Sequence, residues 1–85
     1  MAKPKAEIIC SIVVRLLREK REALGLSMNI VAQRAQMSHT MISRVERELR
    51  RPTLDTLFRL SEAMDVELWP LIKKAEKESK KAAKN

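Results

Sequence analysis

The sequence predicts an all-α domain built from five helices, and three observations support that prediction. The 85 residues include one Gly, one Phe, one Trp and no Tyr, whereas residues that favour helices, such as Leu, Ala, Arg, Lys and Glu, are frequent. Apolar residues recur at intervals of three and four, and no segment shows the strict alternation of a half-buried strand. Helix-capping and helix-breaking residues divide this pattern into five segments.

The first helix is expected from about Glu7 to Leu24, because apolar residues in this stretch fall on one side at helical spacing. Gly25, the only glycine, follows as the predicted left-handed cap that ends the helix. Residues 1–6 form a short basic lead that contains a proline, and we expect this lead to be disordered. The residues predicted to face the core are Ile9, Val13, Leu16, Leu17 and Leu24.

The second and third helices are predicted to be short and to be separated by a tight turn. Ser27 is suited to cap a second helix over about residues 28–36. Ser38 is suited in the same way to cap a third helix over about residues 39–47, and Met37 fills the turn between them as an apolar plug. The residues predicted to face the core are Ile30, Val31 and Ala35 from the second helix and Ile42 and Val45 from the third.

The fourth helix is expected over residues 54–64, because Pro52 prevents the third helix from continuing and Thr53 can cap a new one. Its predicted core residues are Leu54, Leu57, Phe58, Leu60 and Ala63. A fifth helix starts near Leu68, where Pro70 is tolerated in the first turn. Residues 74–85 form a Lys-rich tail, helical at first and then fraying.

These boundaries assign the folded domain to residues 7–73, between the basic lead and the tail. The net charge of +7 suggests a polyanionic partner. Much of that charge lies in the lead and the tail, where the plain interpretation is a solvated chain end and the functional one is non-specific contact with phosphates. Within the folded part the basic character is local, since residues 34–51 contain five Arg against two Glu.

The cellular location is predicted from the apolar runs and the cysteine content. The longest apolar run, residues 8–14, is too short to span a bilayer, and no small-residue cleavage site follows it. The single Cys10 cannot form an intrachain disulfide, which fits a reducing compartment. We therefore expect a cytoplasmic protein without membrane association.

Catalytic and metal chemistry are not expected. His39 is the only histidine and Cys10 the only cysteine, so the ligands of a zinc site are missing. The sequence also contains no Gly-rich phosphate loop and no arrangement of nucleophile, base and acid that a small helical domain could assemble. We expect no enzyme activity, no cofactor and no small-molecule ligand.

The predicted third helix carries the residues that point most directly to a function. Polar and basic side chains fill its first turns, and a helix with such a face can enter the major groove of duplex DNA. Arg can read the acceptors of guanine, and Thr can donate, accept or touch a thymine methyl. These residues are His39, Thr40, Ser43, Arg44 and Arg47.

A longer pattern surrounds this helix and resembles the Cro/C1-type, or XRE-like, helix-turn-helix family. The pattern is L26-S27-x3-V31-A32-x2-A35-x-M37-S38-x3-I42-S43-R44-V45-E46-R47, followed by R51-P52-T53-L54-D55-T56-L57. The family includes lambdoid phage repressors and the small controller proteins of restriction–modification systems. The resemblance covers about residues 13–68 and implies a lambda-repressor-like, five-helix DNA-binding domain, cytoplasmic and associated with the nucleoid.

The resemblance also implies roles for individual residues. Glu46 matches a position that is usually structural and ties the third helix to the rest of the domain. Three positions depart from the usual pattern, with Met28, Gln36 and Glu48 where the family often has Gln, Gly and Gly. The residues implied to face base edges are His39, Thr40, Ser43 and Arg44. The residues implied to contact phosphates are Ser27, Met28 through its backbone N–H, Ser38, Arg47, Arg50 and Arg51.

We predict from these features a sequence-specific transcriptional regulator that binds double-stranded DNA as a homodimer. The candidate dimer residues are surplus apolar side chains, for which burial in the core is the alternative: Ile8, Ile12, Trp69, Leu71 and Ile72. Two other functions stay open. The domain could belong to an antitoxin that also holds a toxin, or it could be a protein-interaction module that has lost DNA binding.

Overall fold

The computed structural model describes residues 3–83, and over this range the protein is a bundle of five α-helices without a strand. The all-α, five-helix prediction is confirmed. The short helices α2 and α3 pack against each other, α2 also packs against α4, and α5 packs along α1. The helices are α1 (Lys5–Ala23), α2 (Met28–Ala35), α3 (His39–Glu46), α4 (Leu54–Ala63) and α5 (Trp69–Ala83).

The predicted capping residues start three of the helices. The Ser27 hydroxyl accepts a hydrogen bond from the backbone N–H of Ile30 at 3.1 Å, and Ser38 accepts from that of Met41 at the same distance. Thr53 accepts in the same way from the N–H of Thr56 at 3.1 Å. Each bond satisfies a donor that the first turn of a helix leaves without an intrahelical partner. The starts of α2, α3 and α4 therefore follow from local sequence.

The core is formed by one face of each helix. Most of the predicted inner residues are buried, among them Val13, Val31, Ile42 and Val45, each at most 2% exposed. The prediction of burial is wrong for four residues that are between 40% and 61% exposed: Leu24, Ile30, Leu54 and Phe58. Leu24 follows the last residue of α1, Leu54 begins α4 with Phe58 one turn later on the same edge, and Ile30 lies beside the buried face of α2.

The first helix begins earlier than predicted. Pro4 is its N-cap and Lys5 its first residue, so residues 5 and 6 are helical and not part of a disordered lead. Proline is well suited to this place, because its fixed φ is compatible with a helix start and it has no N–H to satisfy. The first two residues of the predicted lead lie outside the described residues.

The predicted boundary after residue 73 is also wrong, because α5 continues without a break to Ala83. Ala75 is fully buried and Ser79 is 3% exposed, and the Ser79 hydroxyl donates to the carbonyl of Glu76 at 2.8 Å. These small residues lie four positions apart, on one face of α5, so the helix can pack closely along α1. Over residues 74–83 the Lys-rich segment is therefore part of the folded domain; residues 84 and 85 lie outside the described range.

Candidate nucleic-acid interface

The third helix presents its polar face to solvent. His39, Thr40 and Arg44 are exposed and Ser43 is half-buried, while Ile42 and Val45 on the opposite face are each 1% exposed. An apolar underside this well packed has few alternative positions, so it fixes the direction of the polar side chains. The structure therefore brings all four predicted base-reading residues together on one accessible surface.

The turn between α2 and α3 depends on a residue in a left-handed conformation. Gln36 has φ 56° and ψ 47°, and Met37 next to it is partly buried against the core. The Met37 N–H donates to the carbonyl of Ala32 at 2.9 Å, which closes the end of α2. A side chain in this backbone region costs about 1–2 kcal/mol relative to a relaxed residue. The contact made by Met37 and the cap of α3 at Ser38 hold the turn in place.

A largely buried ion pair fixes the far end of α3. The Arg21 guanidinium donates to both carboxylate oxygens of Glu46, at 2.6 and 2.9 Å, and to the carbonyl of Leu26 at 2.9 Å. The two side chains are 12% and 10% exposed. The hydrogen bond to Glu46 raises the pKa of Arg21, outweighing the opposing effect of burial. Glu46 therefore has the structural role that the resemblance implies, and Arg21 at the end of α1 is its partner.

The arginines implied to contact phosphate lie at and after the end of α3. Arg47 is the C-cap residue of the helix, and Arg47, Arg50 and Arg51 are all exposed. Arg51 already has a partner, since its Nη2 donates to Oε1 of Glu7 at 2.6 Å. Glu48 lies between Arg47 and Arg50 with φ 57°, a left-handed conformation at a position where the family often has Gly.

The remaining phosphate candidates lie at the two helix starts. Ser27 and Ser38 are exposed, and their hydroxyl oxygens already accept from the backbone as helix caps. The side chain of Met28 is half-buried and packs against the core, so only the backbone of this residue is suited to a phosphate contact. The first turns of α2 and α3 point N–H groups outward, which favours anions.

Burial changes the set of candidate dimer residues. The prediction of Leu71 as an interface residue is wrong, because this side chain is only 8% exposed and belongs to the core. Ile12 and Ile72 are partly buried against the core and Ile8 is half-buried, because α5 covers much of α1. Trp69 alone of the five is an exposed large side chain, at 62%.

Among residues 3–83, three of the six exposed large apolar side chains lie on α4 and at the start of α5. Leu54 and Phe58, one helical turn apart, are 61% and 49% exposed, and together with Trp69 they form what we call the apolar strip. A shallow groove of about 560 Å³ runs beside the strip, with Phe58, Trp69 and Ile72 in its lining. The sequence pattern missed the strip because Leu54 and Phe58 fit a core face as well as a surface.

Two further arginines lie near the turn and were not predicted as site residues. Arg34 donates to the carbonyl of Ala63 at 3.3 Å, and Arg59 donates to Asp55 at 2.8 Å and to the carbonyl of Ala35 at 3.5 Å. Both bind carbonyls at helix ends, where positive charge is favourable. They connect α2 with α4 and so support the turn; their position in the last turn of α2 and the middle of α4 gave no sequence signal for this role.

The structure of residues 3–83 also bears on metal binding and on membrane insertion. No cluster of three or more His, Cys, Asp or Glu side chains there could hold a metal ion. No helix in the described part of the chain is both long and apolar enough to cross a bilayer.

Comparison with known proteins identifies the class to which this fold belongs. Residues 17–68, more than half of the chain, match the family described as Helix-turn-helix. The chain belongs to this XRE-like helix-turn-helix family, and the match spans α2, the turn, α3 and α4. The resemblance drawn from the motif is confirmed.

Two curated relatives carry the name "Uncharacterized HTH-type transcriptional regulator", one from Mycobacterium tuberculosis strain CDC 1551 and one from strain H37Rv. Each is 38% identical to this chain over 50 residues, which cover 59% of this chain and 36% of the relative. The chain thus matches about a third of the length of each relative. No solved structure matches the chain.

Proposed function

We propose that this protein is a transcriptional regulator that binds double-stranded DNA sequence-specifically and reads the major groove with α3. The observation that supports this most directly is the outward face of His39, Thr40 and Arg44 above the buried Ile42 and Val45. The helix-turn-helix family and the names of the mycobacterial relatives support the same function. The cytoplasm and the nucleoid are the corresponding location, and no cofactor takes part.

The regulator acts as a homodimer in this proposal. Two copies of α3 would then enter successive major grooves about 34 Å apart on a pseudo-palindromic site. The apolar strip of Leu54, Phe58 and Trp69 is the surface best suited to the second copy, since a two-fold interface requires a patch that is complementary to itself. The rim carries both signs of charge, with Glu62 and Glu67 beside the groove and Lys73 above the Trp69 ring, so opposite charges can meet across the axis.

The test of DNA recognition is selection of bound sequences from random duplex DNA. We expect a two-fold symmetric consensus with half-sites one helical turn apart. Arg44→Ala should cost about 1–3 kcal/mol of binding free energy and relax the base preference at one position in each half-site. Arg15→Ala is the matched control, because it removes the same charge on the α1–α5 side of the molecule. Equal weakening on every sequence variant would make Arg44 a phosphate contact.

The phosphate contacts are tested by salt dependence. Arg50→Ala should weaken binding to all sequences to a similar degree and reduce the slope of log K against log salt by about 1, because one phosphate contact is lost. Titrations by fluorescence anisotropy at several salt concentrations measure both quantities, with Arg15→Ala again as the control. A slope identical to that of the wild type would contradict the assignment.

The test of the dimer is the oligomeric state. Phe58→Asp should shift the protein towards the monomer in sedimentation velocity, since it places a charge in the middle of the apolar strip. Leu24→Asp is the control, because Leu24 is 51% exposed and lies at the end of α1, outside the strip. A monomeric wild type at all concentrations, or equal effects of the two variants, would overturn the strip as the interface.

A further inference from the structure

One arginine in the proposed phosphate-contacting segment is already paired with a carboxylate of the same chain. Arg51 donates from Nη2 to Oε1 of Glu7 at 2.6 Å, across 44 residues of sequence. Glu7 lies in the first turn of α1, and Arg51 lies in the connection between α3 and α4. Their side chains are 37% and 62% exposed, so solvent and any bound anion have access to this pair.

The surroundings of the pair hold both signs of charge. A cavity of about 280 Å³ between the start of α1 and the α3–α4 connection is lined by Lys3, Arg50 and Arg51 and also by Glu7 and Glu48. Three cations suited to phosphate therefore share a small space with two carboxylates. A negative charge this close to a phosphate contact opposes binding, because like charges repel within a Debye length of about 8–10 Å at moderate salt.

A carboxylate and a phosphate make the same kind of contact with an arginine. Both accept charge-assisted hydrogen bonds from the guanidinium fork. An exposed ion pair contributes little to stability, so an approaching phosphate can displace the carboxylate at small cost. After the exchange Glu7 is left beside the DNA backbone with its charge unpaired.

We propose that Glu7 competes with DNA phosphate for Arg51 and so lowers the affinity and the salt dependence of DNA binding. The inference rests on the proposed function, since it requires that the α3–α4 connection meets the DNA backbone. Glu7 is an affinity-setting residue in this scheme, and it contacts no base. Its carboxylate holds the place that a phosphate oxygen takes in the complex.

A competing role fits the structure better than a positioning role, because other contacts define the backbone around Arg51. The Leu49 N–H donates to the carbonyl of Arg44 at 2.8 Å, and the Glu48 N–H donates to that of Val45 at 3.0 Å. The Thr53 cap then fixes the start of α4. These contacts hold the backbone of the α3–α4 connection without the ion pair. Glu7 therefore affects only the Arg51 side chain, which it binds in the absence of DNA.

The two roles predict opposite effects of Glu7→Gln on DNA binding. Under competition the affinity for the selected DNA site should rise about two- to fivefold, the range corresponding to the loss of one exposed ion pair. The salt dependence should become steeper, because no carboxylate remains to attract a cation when Arg51 binds phosphate. If Glu7 positioned Arg51, the same change would weaken binding. Fluorescence anisotropy across a salt series measures both quantities.

The matched control is Glu19→Gln, which removes the same charge from α1. Glu19 also pairs with an arginine, Arg15, at 3.7 Å, and it lies about 18 Å further along the helix at 1.5 Å per residue. We expect its affinity to stay within about twofold of the wild type at moderate salt. An equal gain for both variants would show a general effect of net charge and overturn the proposal.

A double variant separates this inference from the proposed function. In the Arg51→Ala background, Glu7→Gln should lose most of its gain, because the group it competes for is missing. An undiminished gain, or unchanged or weaker binding by Glu7→Gln alone, would overturn the role of Glu7 while DNA binding by the wild type stands. Failure of both the wild type and Glu7→Gln to bind any duplex would overturn the proposed function together with this inference.

Discussion

Two ion pairs connect α1 with the region around the end of α3, and they differ mainly in exposure. Arg21 and Glu46 are 12% and 10% exposed, and the guanidinium makes two bonds to the carboxylate and one to a carbonyl. Arg51 and Glu7 are 62% and 37% exposed and share a single bond. The closest N–O distance is 2.6 Å in both pairs, so distance alone does not distinguish their roles.

Burial gives the two pairs different consequences. Breaking a buried pair leaves a charge without solvent or a partner, and this is costly. An exposed pair can exchange its partner for water, a salt ion or a phosphate with little change in free energy. The inner pair therefore holds α3 at a fixed angle, whereas the outer pair leaves its arginine available to another anion.

The largest expected effect is on stability. Glu46→Gln should lower the free energy of unfolding by about 2–4 kcal/mol, towards the lower end of values for buried pairs because some exposure remains. Glu7→Gln should change it by less than about 1 kcal/mol. Urea denaturation followed by circular dichroism gives both values, and similar losses for the two variants would remove the distinction between the pairs.

A smaller effect is expected at two left-handed residues, one at each end of α3. Gln36→Gly and Glu48→Gly should each stabilise the fold by about 0.5–1 kcal/mol, because glycine relieves the strain at φ 56° and 57° but loses more chain entropy on folding. Only Glu48→Gly should also strengthen DNA binding, since it removes a negative charge beside the arginines. A gain in affinity for Gln36→Gly of the same size would argue against the electrostatic explanation.

The smallest expected effect concerns Cys10, which lines the same cavity as the two partners of the outer pair. Burial raises the pKa of the Cys10 thiol, Arg51 lowers it in part and Glu48 raises it. The thiolate is the reactive form, so alkylation by iodoacetamide should require a higher pH than for a free cysteine. Arg51→Ala should move the pH profile further up and Glu48→Gly should move it down. The opposite order would place Arg51 away from the thiol.

The features that sequence predicts well in this protein are local. Ser27, Ser38 and Thr53 cap the helices that they precede, because an N-cap requires only the backbone two or three residues ahead. The accessible face of α3 was predicted for a similar reason, since Ile42 and Val45 define its buried side within one turn. The role of Glu46 came from the family resemblance, which does not identify Arg21 as the partner 25 residues away.

The features that were predicted wrongly depend on which helix covers which. Leu54, Phe58 and Leu71 all have helical spacing, but Leu71, which lies on α5, is buried in the core and the other two are exposed. Periodicity gives the orientation of a face and not what packs against it. The Lys-rich segment looks like a solvated tail in sequence because lysines dominate its pattern. Ala75 and Ser79 are small residues whose burial becomes evident only when α1 is seen to pack against them. The pairing of Glu7 with Arg51 joins distant segments and has no local signal.

The exposure of Trp69 gives this chain a built-in optical reporter. It is the only tryptophan, so intrinsic emission excited at the red edge of the absorption band comes from one known place at the start of α5. A ring that is 62% in solvent emits at long wavelength and is readily quenched by iodide. Loss of quenching on concentration or on addition of DNA would then report what covers α5, without any label attached to the protein.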